Sequence, residues 1–114
     1  MIEVYSPLTL PSDYDEMNDF IIQNKVKLTE KVVSSVQCAL VNNLSSIEVF
    51  KFKNSDFIVV LEYSTFKDNI NNIYEFYIES ELYEFCDRVN KLKKLLETHE
   101  KKQEKRYKSK GSSK

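Results

Sequence analysis

Glycine is almost missing from this chain: in 114 residues the only one is Gly111, so nothing before it can supply that residue's backbone freedom. Phosphate-cradling loops, dinucleotide-binding turns and nucleophile elbows need glycine, because their backbone takes positive φ or approaches a ligand closely. Composition therefore argues against those enzyme classes. Histidine is nearly as scarce. His99 is the only one and falls beyond the last apolar stripe, which removes most Ser–His and Cys–His catalysis and histidine-based metal sites. Cys38 and Cys86 lie far apart, in no metal-ligand spacing, and each sits in an apolar helical stripe, so free packed thiols are expected. No apolar run approaches the roughly 20 residues of a membrane span. The start, Met1 to Tyr5, has neither the basic nor the apolar region of a secretory signal, and an intracellular location, cytoplasmic or nuclear, is expected.

What the chain does carry is charge, divided along its length. Residues 1–87 hold 15 Asp/Glu against 6 Lys/Arg, a net −9, whereas residues 88–114 hold 3 against 11, a net +8. The near-neutral total of −1 thus conceals an acidic, aromatic-rich body followed by a basic stretch, two parts suited to different partners. With 41% hydrophobic residues over 114 positions the chain is rich enough to build one core and too short for two. The expected organisation is a single α+β domain over 1–96, with 97–114 as a basic helical extension or a disordered tail.

Hydrophobic periodicity supplies the elements. Residues 1–11, containing Pro7 and Pro11, read as an extended lead-in with an edge strand over Ile2–Tyr5. Ser12 is expected to cap a first helix whose opening turn carries Asp13, Asp15 and Glu16. Asn24 interrupts the apolar stripe, which favours two helices near 13–23 and 29–43 over one long one. Strands follow at 47–53 and 56–66, flanking the turn pair Asn54-Ser55, and the aromatic run 73–78 reads as a third strand completing an antiparallel meander. Ser80 then caps a helix whose stripe is Leu82, Phe85, Cys86, Val89, Leu92 and Leu96. This order, helix, three-stranded meander, helix, resembles that of double-stranded-RNA-binding domains. Those domains open their second helix on basic residues where this chain has Glu79, Glu81 and Glu84, which disfavours duplex binding of that kind.

Three features bear on function. The strand from Phe57 to Phe66 is apolar on both faces, as is 73–78, whereas a sheet with one solvated face alternates. A protein partner or a second copy covering that sheet is therefore expected, through exposed members of Phe50, Phe52, Phe66, Tyr74, Phe76 and Tyr77. The resulting reading is a non-enzymatic interaction module, a subunit or adaptor of a larger protein or ribonucleoprotein complex, with no cofactor, metal, membrane or small-molecule substrate. A first alternative is nucleic-acid binding through Lys101, Lys102, Lys105, Arg106, Tyr107, Lys108 and Lys110, since phosphate attraction needs little beyond density of positive charge. A second is an acidic docking surface formed by Glu75, Glu79, Glu81, Glu84 and Asp87, of the kind a small viral inhibitor of host machinery would use.

Overall fold

Two prolines bracket the first element among the described residues. In the computed structural model, which describes residues 6–112 and side chains over 6–102, strand β1 spans Leu8–Leu10 between Pro7 and Pro11. The edge strand expected over Ile2–Tyr5 lies outside the described residues. Helix α1 (Tyr14–Gln23) starts one residue later than Ser12 would set it: Asp13 is the cap, its carboxylate accepting from the N–H groups of Asp15 at 3.0 Å and Glu16 at 3.1 Å. Asn24 ends that helix by bonding back to the Phe20 carbonyl through both its backbone N–H and its side-chain amide, each at 2.9 Å. Its own carbonyl accepts from Leu28 N–H, so α2 (Lys25–Val41) begins at once. The break is a single residue rather than the five-residue gap the sequence suggested.

Helix α2 buries Val33, Val36, Ala39 and Leu40 at helical spacing, and the hydroxyl of buried Ser35 is satisfied by the Lys31 carbonyl at 2.6 Å. It ends in a Schellman turn, with Leu44 N–H donating to Ala39 C=O and Asn43 N–H to Leu40 C=O around Asn43 at φ 55°. Strand β2 (Ser46–Phe52) alternates, burying Ile47 and Val49 beneath α2 while Glu48 and Lys51 face solvent. The connection after it carries Asn54 at φ 56° and leads to β3 (Ile58–Glu62), so the expected hairpin is present.

The sheet is mixed, in order β1-β2-β3. Strand β1 runs parallel to β2 with Leu8 opposite Phe50, and β3 runs antiparallel to β2 with Ile47 opposite Leu61. A bulge at Val49 shifts the second register between Glu48–Val60 and Phe50–Val59. The antiparallel meander expected from sequence is not formed, because its third strand is a helix. The strand expected to reach Phe66 stops at Glu62, and α3 (Tyr63–Glu79) includes all of 73–78. Spacing explains this: Phe66, Ile70, Ile73 and Tyr77 recur at helical intervals and all are buried, while Lys67, Asp68, Asn71, Asn72 and Glu75 fall on the exposed side. Neither glycine nor proline occurs between Tyr63 and Glu79 to end the helix.

The chain divides into two compact units, Met1–Asn69 and Ile70–Lys114. The first holds the sheet, α1, α2 and the opening of α3, where the Tyr63 and Phe66 rings meet edge to face at 5.6 Å. The second holds the rest of α3 and α4 (Tyr83–Ser112). Ser80 does not cap α4. Its N–H donates to Phe76 C=O as the end of α3, and a second Schellman turn follows, Leu82 N–H to Tyr77 C=O and Glu81 N–H to Ile78 C=O, with Glu81 at φ 57°. Leu82 occupies the cap position instead, its carbonyl accepting from Phe85 and Cys86. Tyr77 packs on Phe85 at 5.2 Å and Lys93 Nζ lies 3.9 Å over the Tyr74 ring, while Cys86, Val89, Leu92 and Leu96 are buried along α4.

Candidate interaction surface

The two edges of the sheet are built differently. Strand β1 is three residues long and flanked by prolines, which carry no N–H, so its outer edge offers little to an incoming strand. At the other edge β3 pairs with β2 on one side, and among the described residues no strand lies on its outer side. Its apolar run lacks the charges and prolines that usually protect an edge. From Phe57 to Leu61 the sequence is Phe-Ile-Val-Val-Leu, with no charge and no proline. Phe57 is 77% exposed, Val60 46%, Ile58 43% and Val59 37%, although large apolar side chains in a strand ordinarily find cover on one face.

Backbone parity shows what this edge offers. Phe57 C=O accepts from Phe52 N–H, and Tyr63 N–H donates to Ser45 C=O, so the odd-numbered residues of β3 aim their polar groups at β2. Because strand groups alternate, the N–H and C=O of Ile58 and Val60 and the N–H of Glu62 point away from β2, toward the open edge, while the Glu62 C=O accepts from Thr65 Oγ1 at 2.8 Å where α3 begins. Across β2 the outer face is charged, with Glu48 opposite Val60 and Lys51 opposite Ile58, and acids flank the apolar run at Asp56 and Glu62.

Residues expected at a protein interface are dispersed. Phe50 and Phe52 are half-buried on β2; Phe66 is fully buried on α3; Tyr74 and Phe76 are half-buried on α3 and Tyr77 is buried there. Only the first two belong to the sheet. Large apolar side chains are exposed at scattered helical and turn positions, Tyr14, Ile21, Ile22, Val41, Leu44, Ile78, Tyr83 and Leu95, and as a consecutive run at Phe57 to Val60, whose signal in the sequence was the unbroken apolar run rather than its aromatic content. Glu75 and Glu79 are exposed on α3, Glu81 in the turn, and Glu84 and Asp87 on the first turns of α4, Asp87 paired with Lys91 at 3.3 Å. Lys101 and Lys102 are exposed on α4; the side chains of Lys105, Arg106, Tyr107, Lys108 and Lys110 lie outside the described residues. The change from acidic to basic sequence at residue 88 falls inside α4, so it lies within the second unit and does not separate the two.

Other features point away from small-molecule chemistry only in part. A depression of about 210 Å³ beside Leu8 is lined by Lys27, Glu30, Lys31 and Ser34, and one of about 410 Å³ surrounds the Asn24 break, with Ile22, Lys25 and Val26 among its walls. Both are open depressions whose linings mix charged and polar side chains with apolar ones. Lys31 Nζ donates to the Ser6 carbonyl, and burial lowers its pKa below the ordinary lysine value, partly opposed by Cys38. Cys38 is half-buried, Cys86 is buried, and both are free thiols. Among the described residues no group of three or more His, Cys, Asp or Glu is placed to hold a metal ion, and no helix is long and apolar enough to cross a membrane. Comparison of the chain with protein-family models, with curated proteins and with solved structures found no match.

Proposed function

We propose that this protein is a non-catalytic interaction module, a subunit or adaptor of a larger assembly, that binds protein through the open edge of its sheet. The observation that carries the reading is β3: a strand with outward-facing backbone groups at Ile58 and Val60, and apolar side chains exposed on both of its faces. An added strand would satisfy the backbone groups, while the alternating side chains would supply contact area and specificity. The proline-flanked edge at β1 gives the same sheet a side that does not compete.

Sizing of the native protein in extracts of the cells that make it tests the reading. An apparent mass well above the 13.5 kDa of one chain is expected, reduced to that of one chain by Phe57→Asp, whose side chain is too exposed to matter for folding. A native protein that already runs as a single chain would end the proposal.

A further inference from the structure

Resting on that reading, we infer that the occupant of the β3 edge is a second copy of this chain, paired antiparallel about a two-fold axis through Val60. Three observations select a copy over an unrelated strand. The open edge asks for a partner strand that is apolar on both faces, and β3 itself meets that requirement. Parity then permits the symmetric pairing: Val60 faces Val60 of the second copy as a hydrogen-bonded pair, and Ile58 faces Glu62 of the second copy, and reciprocally. Four backbone hydrogen bonds close the junction from outward-pointing groups of Ile58, Val60 and the Glu62 N–H, the Glu62 carbonyl being already engaged by Thr65 Oγ1 at 2.8 Å. Finally, β1 is blunted, so each sheet has one edge to give, and pairing stops at two copies instead of growing into a fibre.

Charge selects the register. Centred on Val60, Glu62 lies across from an isoleucine. Centred one residue earlier, on Val59, the same edges would set Asp56 against Glu62 of the second copy at both ends, and like charges directly opposite are destabilising.

Phe57, Ile58, Val59 and Val60 together expose on the order of 350 Å² per copy, or about 700 Å² for the pair, less than the roughly 1,200 Å² of a stable standard interface. The dimer is accordingly reversible and concentration-dependent.

Light scattering on purified protein across a dilution series should show the mean mass rising from near 13.5 kDa at a few micromolar toward twice that value at several hundred micromolar. Val60→Lys, at a position already 46% exposed, should keep the circular dichroism spectrum and lose the rise. Cysteine cross-linking reads the register. In Val60→Cys the paired Cα atoms would stand about 5.5 Å apart, within disulfide range, whereas in Ile58→Cys the two sulfurs would be separated by about 13 Å along the strands. Oxidation should therefore cross-link the first at least tenfold faster. Cys38 and Cys86 are common to both variants and cannot produce a difference between them. A mass of one chain at every concentration, an undiminished rise in Val60→Lys, or equal cross-linking of the two cysteine variants would each overturn the inference. A chain that is monomeric when pure, but that leaves its cellular assembly on Phe57→Asp, would overturn self-pairing while leaving the interaction function standing.

Discussion

Replacing Glu81 with glycine should stabilise this protein, because the turn between α3 and α4 forces a residue with a Cβ into left-handed backbone. Glu81 sits at φ 57° in the position of a Schellman turn that glycine usually fills, with its own N–H bonded to Ile78 C=O at 3.1 Å and Leu82 N–H bonded to Tyr77 C=O at 2.9 Å. An L-residue in that region is strained by about 1–2 kcal/mol. Glycine removes the strain, but its unfolded chain is freer by about 0.5–1 kcal/mol, which leaves a net gain of roughly 0.5–1 kcal/mol. The side chain being removed is exposed, so no packing is lost. In urea unfolding the midpoint should rise with an unchanged slope, and the melting temperature should rise by about 2–6 °C. Ser80→Gly is the control: one residue earlier in the same turn, at negative φ, glycine brings only the entropic cost and should destabilise by about 0.5–1 kcal/mol. A lower midpoint for Glu81→Gly, or equal gains at both positions, would refute the strain argument.

Other substitutions probe other links in the structure. Tyr77→Ala should cost about 3–5 kcal/mol in chemical denaturation, since the ring is buried and packed on Phe85; a loss under 1 kcal/mol would mean that the ring is not buried in solution. Asp13→Ala should cost about 1 kcal/mol locally, read as faster hydrogen exchange at the Asp15 and Glu16 amides, and unchanged protection there would count against Asp13 as the cap. Burial lowers the Lys31 pKa in the folded chain, so its ammonium form carries a folding penalty that is full below the folded pKa and gone above the unfolded value of 10.5. The stability advantage of Lys31→Met over wild type should therefore shrink as pH rises through that window. An advantage independent of pH there would contradict the shift.

How much of this was legible beforehand depended on where the deciding contacts lie. The Asn54-Ser55 hairpin and the Leu82–Leu96 stripe were readable because turn chemistry and helical period are local, as was the interruption at Asn24. The second cap was misassigned. Ser80 is the better capping residue by type, yet its N–H is needed to finish α3, so the role fell to Leu82. The helix α3 was hidden for a related reason: the aromatic and β-branched residues of 73–78 favour a strand, and the Asn-rich stretch before them looks like a loop. A single helix buries Phe66, Ile70, Ile73 and Tyr77 together, and that gain overrides both local preferences. With 73–78 removed from the sheet and the strand before it stopping at Glu62, four of the six aromatic residues expected at an interface, Phe66, Tyr74, Phe76 and Tyr77, moved to a helix, and β3 became an edge.

Sequence by itself determined the near-absence of glycine, the charge reversal at residue 88, the hairpin and the last helix, because each follows from composition or from neighbours within a few residues. Tertiary structure decided which strand would be left without a neighbour. Strand pairing is a choice among distant segments, and only once β1 had taken one side of β2, β3 the other, and 73–78 had become helix did the apolar run Phe57–Leu61 become an edge. The positive-φ positions were decided in the same way. In a chain whose one glycine is Gly111, Asn43, Asn54 and Glu81 were set by where the helices and the hairpin had to turn.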